Sequence, residues 1–466
     1  MSLEASLLAQ LDECKGLFAP EAARRTEALL KQIRGIRFGR SIFGISSKGR
    51  RFESAAALIH LHETLLFLRA YPQSPTVVRL CDAILFDFAR WVRRVPREQL
   101  AEFEYAEVSG IAGTGITTNF SYVFAKSLAE RHGQKTHRRA KRREAISNTT
   151  GWLAIDWQHF EHVDRLAPTL AHLIPAAREA WAVGRHIDWR KCFESAAATE
   201  KLGEVPWLLQ HVRPEVYDLL EVPLRFELGD SSASRSRARF ARHSMFYHRG
   251  ALLARKDVSF EREFAAPPIR VTRLARVRAH QVLGVIVDAS AVRYRELYGF
   301  EYPDETRVHH AALGRGMDFF FFGVPPHWRL HDREYCAGMY FKNGVPIGYV
   351  EVMWRAGVME VGFNLYYTFR QGETAWLYAR LLKLFRQHFK VEAFTIDPYQ
   401  LGHENDEAIE SGAFWFYSKL GFHSTSRKIR ELAEREQERI GANPKYRSPA
   451  RTLRKLAEAP MIYKVT

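Results

Sequence analysis

EYCAGMYFKNGVPIGYVEVMWRAGVMEVGFNLYYTF, residues 334–369, contains three runs of apolar, β-branched and aromatic residues separated by two turn signals. KNGVP parts EYCAGMYF (334–341) from IGYVEVMWR (347–355), and Ala356-Gly357 parts that run from VMEVGFNLYYTF (358–369). Strand formers bounded by such turns predict consecutive strands joined by hairpins, hence an antiparallel meander. Side chains alternate along a strand, so Glu360, Gly362 and Asn364 are expected on one face of the third run. The period then changes. GETAWLYARLLKLFRQHF (372–389) reads as a helix, VEAFTIDP (391–398) as a strand and ESGAFWFYSKLGF (410–422) as a helix. The order β-β-β-α-β-α makes this part of the chain α/β.

The reading extends outward in both directions. Pro267-Pro268 interrupts the chain, IRVTRLAR reads as a strand, and RAHQVLGVIVDASAVRYRELYGF (278–300) as one or two helices. GMDFFFFGVPP (316–326) reads as a buried strand, with the wall of an acceptor site as the alternative. Beyond 422, residues 427–458 form a charged helical appendage before a closing strand, PMIYKV. Upstream, residues 1 to about 225 have mostly helical periodicity, as in ESAAALIHLHETLLFLRAY (53–71). The expected division is a mainly helical region, 1–265, followed by an α/β domain with a mixed, largely antiparallel sheet, 266–466.

With 466 residues, 46% hydrophobic and 26% charged, the composition excludes a fibrous or mostly disordered chain. The formal charge of +16 favours an anionic partner without choosing among nucleic acid, lipid and acidic small molecules. Cys14, Cys81, Cys192 and Cys336 stand far apart, so reduced thiols are expected rather than disulfides or a metal site. No apolar run approaches ~18 residues and the N-terminus carries acids, so no membrane span and a cytoplasmic location are expected.

Two motifs carry chemistry. In SGAFWFYSKLGF (411–422), Phe416-Tyr417 is followed by Lys419, Gly421 and Phe422; in FRQGETAWLYARLL (369–382), Arg370 and Ala375 bracket a glycine-containing turn. Together with the element order they resemble the GNAT acyltransferase superfamily, over roughly 269–425. The first motif resembles its late aromatic-Tyr helix. The second resembles its pyrophosphate loop, with Glu373 at the central glycine position and Gly372 one place earlier. Glu410 stands where the family usually has an asparagine.

The resemblance implies an N-acyltransferase, commonly an N-acetyltransferase, that uses acetyl-CoA or another acyl-CoA as donor toward an amine. Tyr417 would protonate the departing thiolate. Phe363, Asn364 and Leu365 would pair their backbone with the pantetheine arm, where a bulge at Gly362 splays the strand from its parallel neighbour. Arg370, Gln371, Gly372, Thr374 and Ala375 would take the pyrophosphate.

The residues support part of this directly. A helix that starts at Gly372 straight after a strand ending near Thr368 offers unpaired amides and a positive dipole end to phosphate. Plain strand–helix punctuation is the alternative. Glu373 opposes an anion there, or points outward as a first-turn acid. An attacking amine must lose a proton, and Glu360 is the first candidate base, Glu351 the second; solvated strand carboxylates are the alternative. Tyr417 is otherwise a member of an aromatic packing stripe with Phe414 and Phe416. His403, Glu404, Asn405 and Asp406 either hold a cationic acceptor or cap and solvate a loop.

In the N-terminal half, SGIAGTGITTNFSY (109–122) has the glycines of a nucleotide loop but lacks the Gly-Lys-Ser/Thr ending, and a turn leading into a helix is expected. His60 and His62 do not share a helix face. Basic clusters at 131–143 and 234–255 suit either nucleic acid or a solvated surface. Two other classes therefore stand beside the enzyme: a catalytically degenerate binding or sensor protein, and a nucleic-acid-associated protein.

Overall fold

A computed structural model describes residues 3–35, 54–134, 151–242, 244–329, 332–443 and 445–465. The chain divides into two compact units. The first comprises Met1–Ala251, His280–Glu301 and Asn343–Pro346, and the second Leu252–Ala279, Tyr302–Lys342 and Ile347–Thr466. The first break falls at Ala251/Leu252, and the units exchange segments where the sequence suggested one cut.

The first unit opens with helices Leu3–Glu13, Pro20–Gly35, Ala55–Ala70 and Pro75–Phe86, which pack on one another. Ser54 and Ser74 cap two of them, their side-chain oxygens accepting from Ala57 N and Val77 N at 3.2 Å. Each cap satisfies a backbone donor that has no partner inside its helix. Four short strands follow: β1 (Gly115–Thr118), β2 (Gly133–Gln134), β3 (Trp152–Ile155) and β4 (Leu224–Glu227). They make a sheet of order β1-β4-β3-β2. Sequence reasoning passed over this sheet, because strands of two to four residues are too short to display alternation.

The second unit is built on nine strands: β5 (Val271–Arg273), β6 (Val308–Gly314), β7 (Met317–Gly323), β8 (Glu334–Lys342), β9 (Val345–Arg355), β10 (Val358–Leu365), β11 (Ala393–Ile396), β12 (His423–Ser424) and β13 (Met461–Lys464). Their order is β12-β13-β11-β10-β9-β8-β7-β6-β5. The pairing is largely antiparallel, and β10 with β11 is parallel. Parallel neighbours require a crossover, supplied by the helix Thr374–Phe389. That helix buries Leu377, Leu381, Leu382 and Phe385, and each such burial stabilises by roughly 1.5–3 kcal/mol. Its Phe385 and Tyr378 meet Phe319 of β7 and Phe363 of β10. The four phenylalanines of β7, Phe319 to Phe322, are all buried, as expected of that run.

Three boundaries differ from expectation. β10 ends at Leu365, not near Thr368, and a 3₁₀ turn at Tyr367–Phe369 follows, so the helix begins only at Thr374, after eight intervening residues. The late aromatic helix is broken into Asp406–Ser411 and Ala413–Ser418 by Gly412 at φ +68°, a conformation suited to glycine. β6, from VHHAALG, had no strand reading. Among the described residues no helix is long and apolar enough to cross a membrane.

Candidate functional site

β10 has unequal neighbours. It pairs with β9 along its whole length, from Val358↔Arg355 to Leu365↔Gly348. It pairs with β11 only at Val358↔Ala393, Met359↔Phe394 and Glu360↔Thr395. The β11-facing edge of Val361–Leu365, including Phe363, Asn364 and Leu365, therefore has no strand against it among the described residues. The expected bulge at Gly362 is absent, since the β9 register runs through it unbroken. The separation arises because β11 stops at Ile396 and turns into a short helix, Pro398–Leu401, capped by Asp397, whose Oδ1 accepts from Tyr399 N at 2.8 Å.

Tyr340 of β8 lies over the far end of β10. Its hydroxyl meets the carbonyls of Tyr349, at 2.6 Å, and of Asn364. Gly348 makes this possible: a Cβ there would lie 2.6 Å from Tyr340 Cε2 and clash with the Asn364 carbonyl.

The connection from β10 to the helix is folded on itself. Gly372 N donates to Phe369 O at 2.9 Å, and the Thr374 hydroxyl donates to Arg370 O at 3.1 Å. The first intrahelical bond is Leu377 N to Glu373 O, 2.9 Å, so the amides of Thr374, Ala375 and Trp376 precede it. Arg370 and Gln371 are exposed and Ala375 is buried. The Arg370 guanidinium is paired with Glu407 and lies 5.7 Å from the Tyr367 ring centre.

Glu373 neither points outward nor faces the open helix end. Its side chain is wholly buried. Oε1 takes Arg315 Nη2 at 2.5 Å and Leu253 N at 3.2 Å, and Oε2 takes Lys342 Nζ at 3.1 Å. Lys342 Nζ also donates to Arg315 O at 2.7 Å. Arg315 is delivered by the β6–β7 turn, where Gly314, Arg315 and Gly316 all adopt positive φ. Both carboxylate oxygens are bound to cations, so the residue that counted against phosphate in the sequence has its charge compensated inside the fold. Arg315 and Lys342 were missed because 58 and 31 residues separate them from Glu373.

Tyr417 sits in a cluster of rings: Tyr378 at 5.6 Å, Phe416 at 5.2 Å and Phe422 at 5.9 Å between centroids. It is 4% exposed. Burial pushes its phenol well above the ordinary value, which keeps it a neutral donor.

The acids lie on the other face of β10. Glu360, Gly362 and Asn364 alternate with the buried Val361, Phe363 and Leu365, as expected. Glu351 stands opposite Gly362 in the β9 register. Glu360 pairs with Arg333 at 3.1 Å, and Glu351 accepts from the Tyr335 hydroxyl at 2.6 Å. Asn405 caps the helix Asp406–Ser411, accepting from Ala408 N at 3.2 Å, and Asp406 pairs with Arg454 at 2.9 Å.

The remaining motifs fall in the first unit. Gly110 and Gly113 have positive φ, and a Cβ on them would strike Val292 and Ala89; they serve close packing. Most of the 131–143 cluster lies outside the described residues. In the second cluster Arg235 is buried against Glu63 at 2.6 Å, Arg237 pairs with Asp230 at 3.1 Å and Arg239 with Asp82 at 2.7 Å. Glu63, His62 and Ser236 form an acid–imidazole–hydroxyl chain, 3.0 Å and 2.9 Å, with the Ser236 oxygen also accepting from Ala112 N. Ser236 is 2% exposed, and the chain ties the helix Ala55–Ala70 to the segment around Ala112 within the core.

No family model, curated protein or solved structure matches the chain.

Proposed function

We propose that the second unit is a GNAT-like, acyl-CoA-dependent N-acyltransferase acting on an amine. The observation that carries this reading is the parting of β10 from β11 after Glu360, together with a crossover helix whose Tyr378 meets both Phe363 of β10 and the buried Tyr417. The β-β-β-α-β-α order on which the resemblance rests is present. The open edge of Phe363–Leu365 suits the amides of a pantetheine arm. The amides of Thr374–Trp376, with Arg370, suit a pyrophosphate.

The chemistry balances with the residues in place. The acceptor amine attacks the thioester carbon and a C–N bond forms. The surplus amine proton passes to Glu360 or Glu351, directly or through water. The tetrahedral centre collapses, the C–S bond breaks, the thiolate takes the Tyr417 proton, and solvent re-protonates Tyr417 as the glutamate releases the amine proton. No covalent enzyme intermediate is needed, and holding the two substrates together supplies much of the acceleration.

Calorimetry with CoA and acetyl-CoA, together with single-turnover transfer to a panel of amines, tests the proposal. Micromolar binding with transfer to at least one amine supports it. Binding without transfer to any amine favours a sensor, and no binding at millimolar CoA removes the reading.

A further inference from the structure

We propose that the Tyr378 hydroxyl donates a hydrogen bond to the carbonyl oxygen of the bound acyl thioester, beside Tyr417 at the sulfur. The inference rests on the acyl-CoA reading above.

Tyr378 stands in the second turn of the helix Thr374–Phe389 and is fully buried. Among the described residues its hydroxyl has no hydrogen-bond partner. Its neighbours are rings: Phe363 at 4.9 Å, Tyr417 at 5.6 Å, Phe416 at 6.0 Å, Phe422 at 6.1 Å and Phe260 at 6.3 Å. Phenylalanine would fill this space equally well. An oxygen here is unfavourable unless something accepts from it, and buried polar groups nearly always find a partner.

The described residues do not supply that acceptor. Phe363, the closest ring, belongs to the part of β10 that β11 has left. The open edge and the unpartnered donor therefore meet at one place. Burial and the neighbouring Tyr417 hold the Tyr378 phenol far above its ordinary pKa, so it remains an O–H donor.

A thioester presents two acceptor atoms, oxygen and sulfur, on a single carbon. Two phenols with ring centres 5.6 Å apart offer one donor to each. As the amine attacks, the carbonyl oxygen gains negative charge, and a donor already in a water-poor site interacts with it more strongly than with the ground state. Tyr378 keeps its proton throughout; the one released to sulfur comes from Tyr417.

The test is Tyr378→Phe, with acetyl-CoA and free CoA titrated in parallel and the carbonyl band of ¹³C-acetyl-CoA read by isotope-edited infrared. The expected result is an affinity for acetyl-CoA lower by about three- to tenfold, little change for CoA, and an undiminished melting temperature. The band of bound acetyl-CoA lies below its solution position in the wild type and moves back toward it in the variant. Equal losses for CoA and acetyl-CoA, or an unchanged band, overturn the inference while wild-type binding preserves the acyl-CoA reading. A wild-type band at the solution position overturns it without any variant. Failure of the wild type to bind either ligand removes both.

Discussion

Lys342 Nζ lies 3.1 Å from Glu373 Oε2, and neither side chain is exposed to solvent. The pair joins the end of β8 to the residue that opens the helix Thr374–Phe389. It sets the direction of that helix start, and through it the loop that carries Arg370.

Glu373→Gln removes the carboxylate that faces the buried Lys342 ammonium and is expected to destabilise the protein by about 3–5 kcal/mol. Lys342→Met leaves Glu373 paired with Arg315 and is expected to cost less. The double substitution is expected to cost less than the sum of the two, because the buried ammonium is removed together with the carboxylate that faced it. Urea denaturation of all four proteins measures this. Additive losses would show that the two side chains act independently.

Arg370 is held by Glu407 at the surface, with 36% and 54% of the two side chains exposed, so the pair contributes little to stability. Arg370→Ala is expected to leave folding intact and weaken acyl-CoA binding about tenfold or more, through loss of a charge-assisted phosphate contact. Glu407→Gln is expected to tighten binding, because the guanidinium no longer has to leave a carboxylate. Calorimetry at low salt reads both, and a Glu407→Gln protein that binds more weakly would reverse the assignment.

Tyr417→Phe keeps the ring and removes the proton. Acyl-CoA binding is expected to persist while transfer slows by about 10²–10⁴-fold. Because burial raises this phenol, wild-type transfer is not expected to fall as pH rises through 9 to about 10. Glu360→Gln is expected to slow transfer most at low pH, where the acceptor amine is mostly protonated. Single-turnover rates across pH decide the matter, and unchanged transfer in Tyr417→Phe would leave that residue as packing alone.

His62 is fully buried and burial holds its imidazole down to about 4, against about 6.5 in an unfolded chain. Between those values the unfolded chain binds more protons than the folded one. Stability is therefore expected to fall as pH is lowered through this window, by roughly 1.4 kcal/mol per unit from this group. Urea midpoints at pH 7 and pH 5, for wild type and His62→Gln, isolate it. The same slope in both proteins would show that His62 is not responsible.

How much of this was legible can be judged residue by residue. The strand runs at 334–341, 347–355 and 358–365 were readable because each alternates or stays apolar long enough and ends at a turn. The shared face of Glu360, Gly362 and Asn364 followed from the period of a strand. Tyr417 stood out by its neighbours in sequence. The role of Glu373 was not legible, because its charge is balanced by residues from two other strands' ends. The sheet in the first unit escaped notice because its strands are shorter than the pattern that reveals them.

By itself, then, the sequence determined where local elements form and which residue types line each face, because hydrophobic period, turns and caps act over a few residues. It also determined the positive charge and the order β-β-β-α-β-α. The tertiary structure alone decided that β10 leaves β11 after Glu360, that Glu373 turns inward between Arg315 and Lys342, and that Tyr378 and Tyr417 share one apolar space. Those relations depend on where one element stops against another and on which distant charges meet. Neither quantity is carried by any window of neighbouring residues.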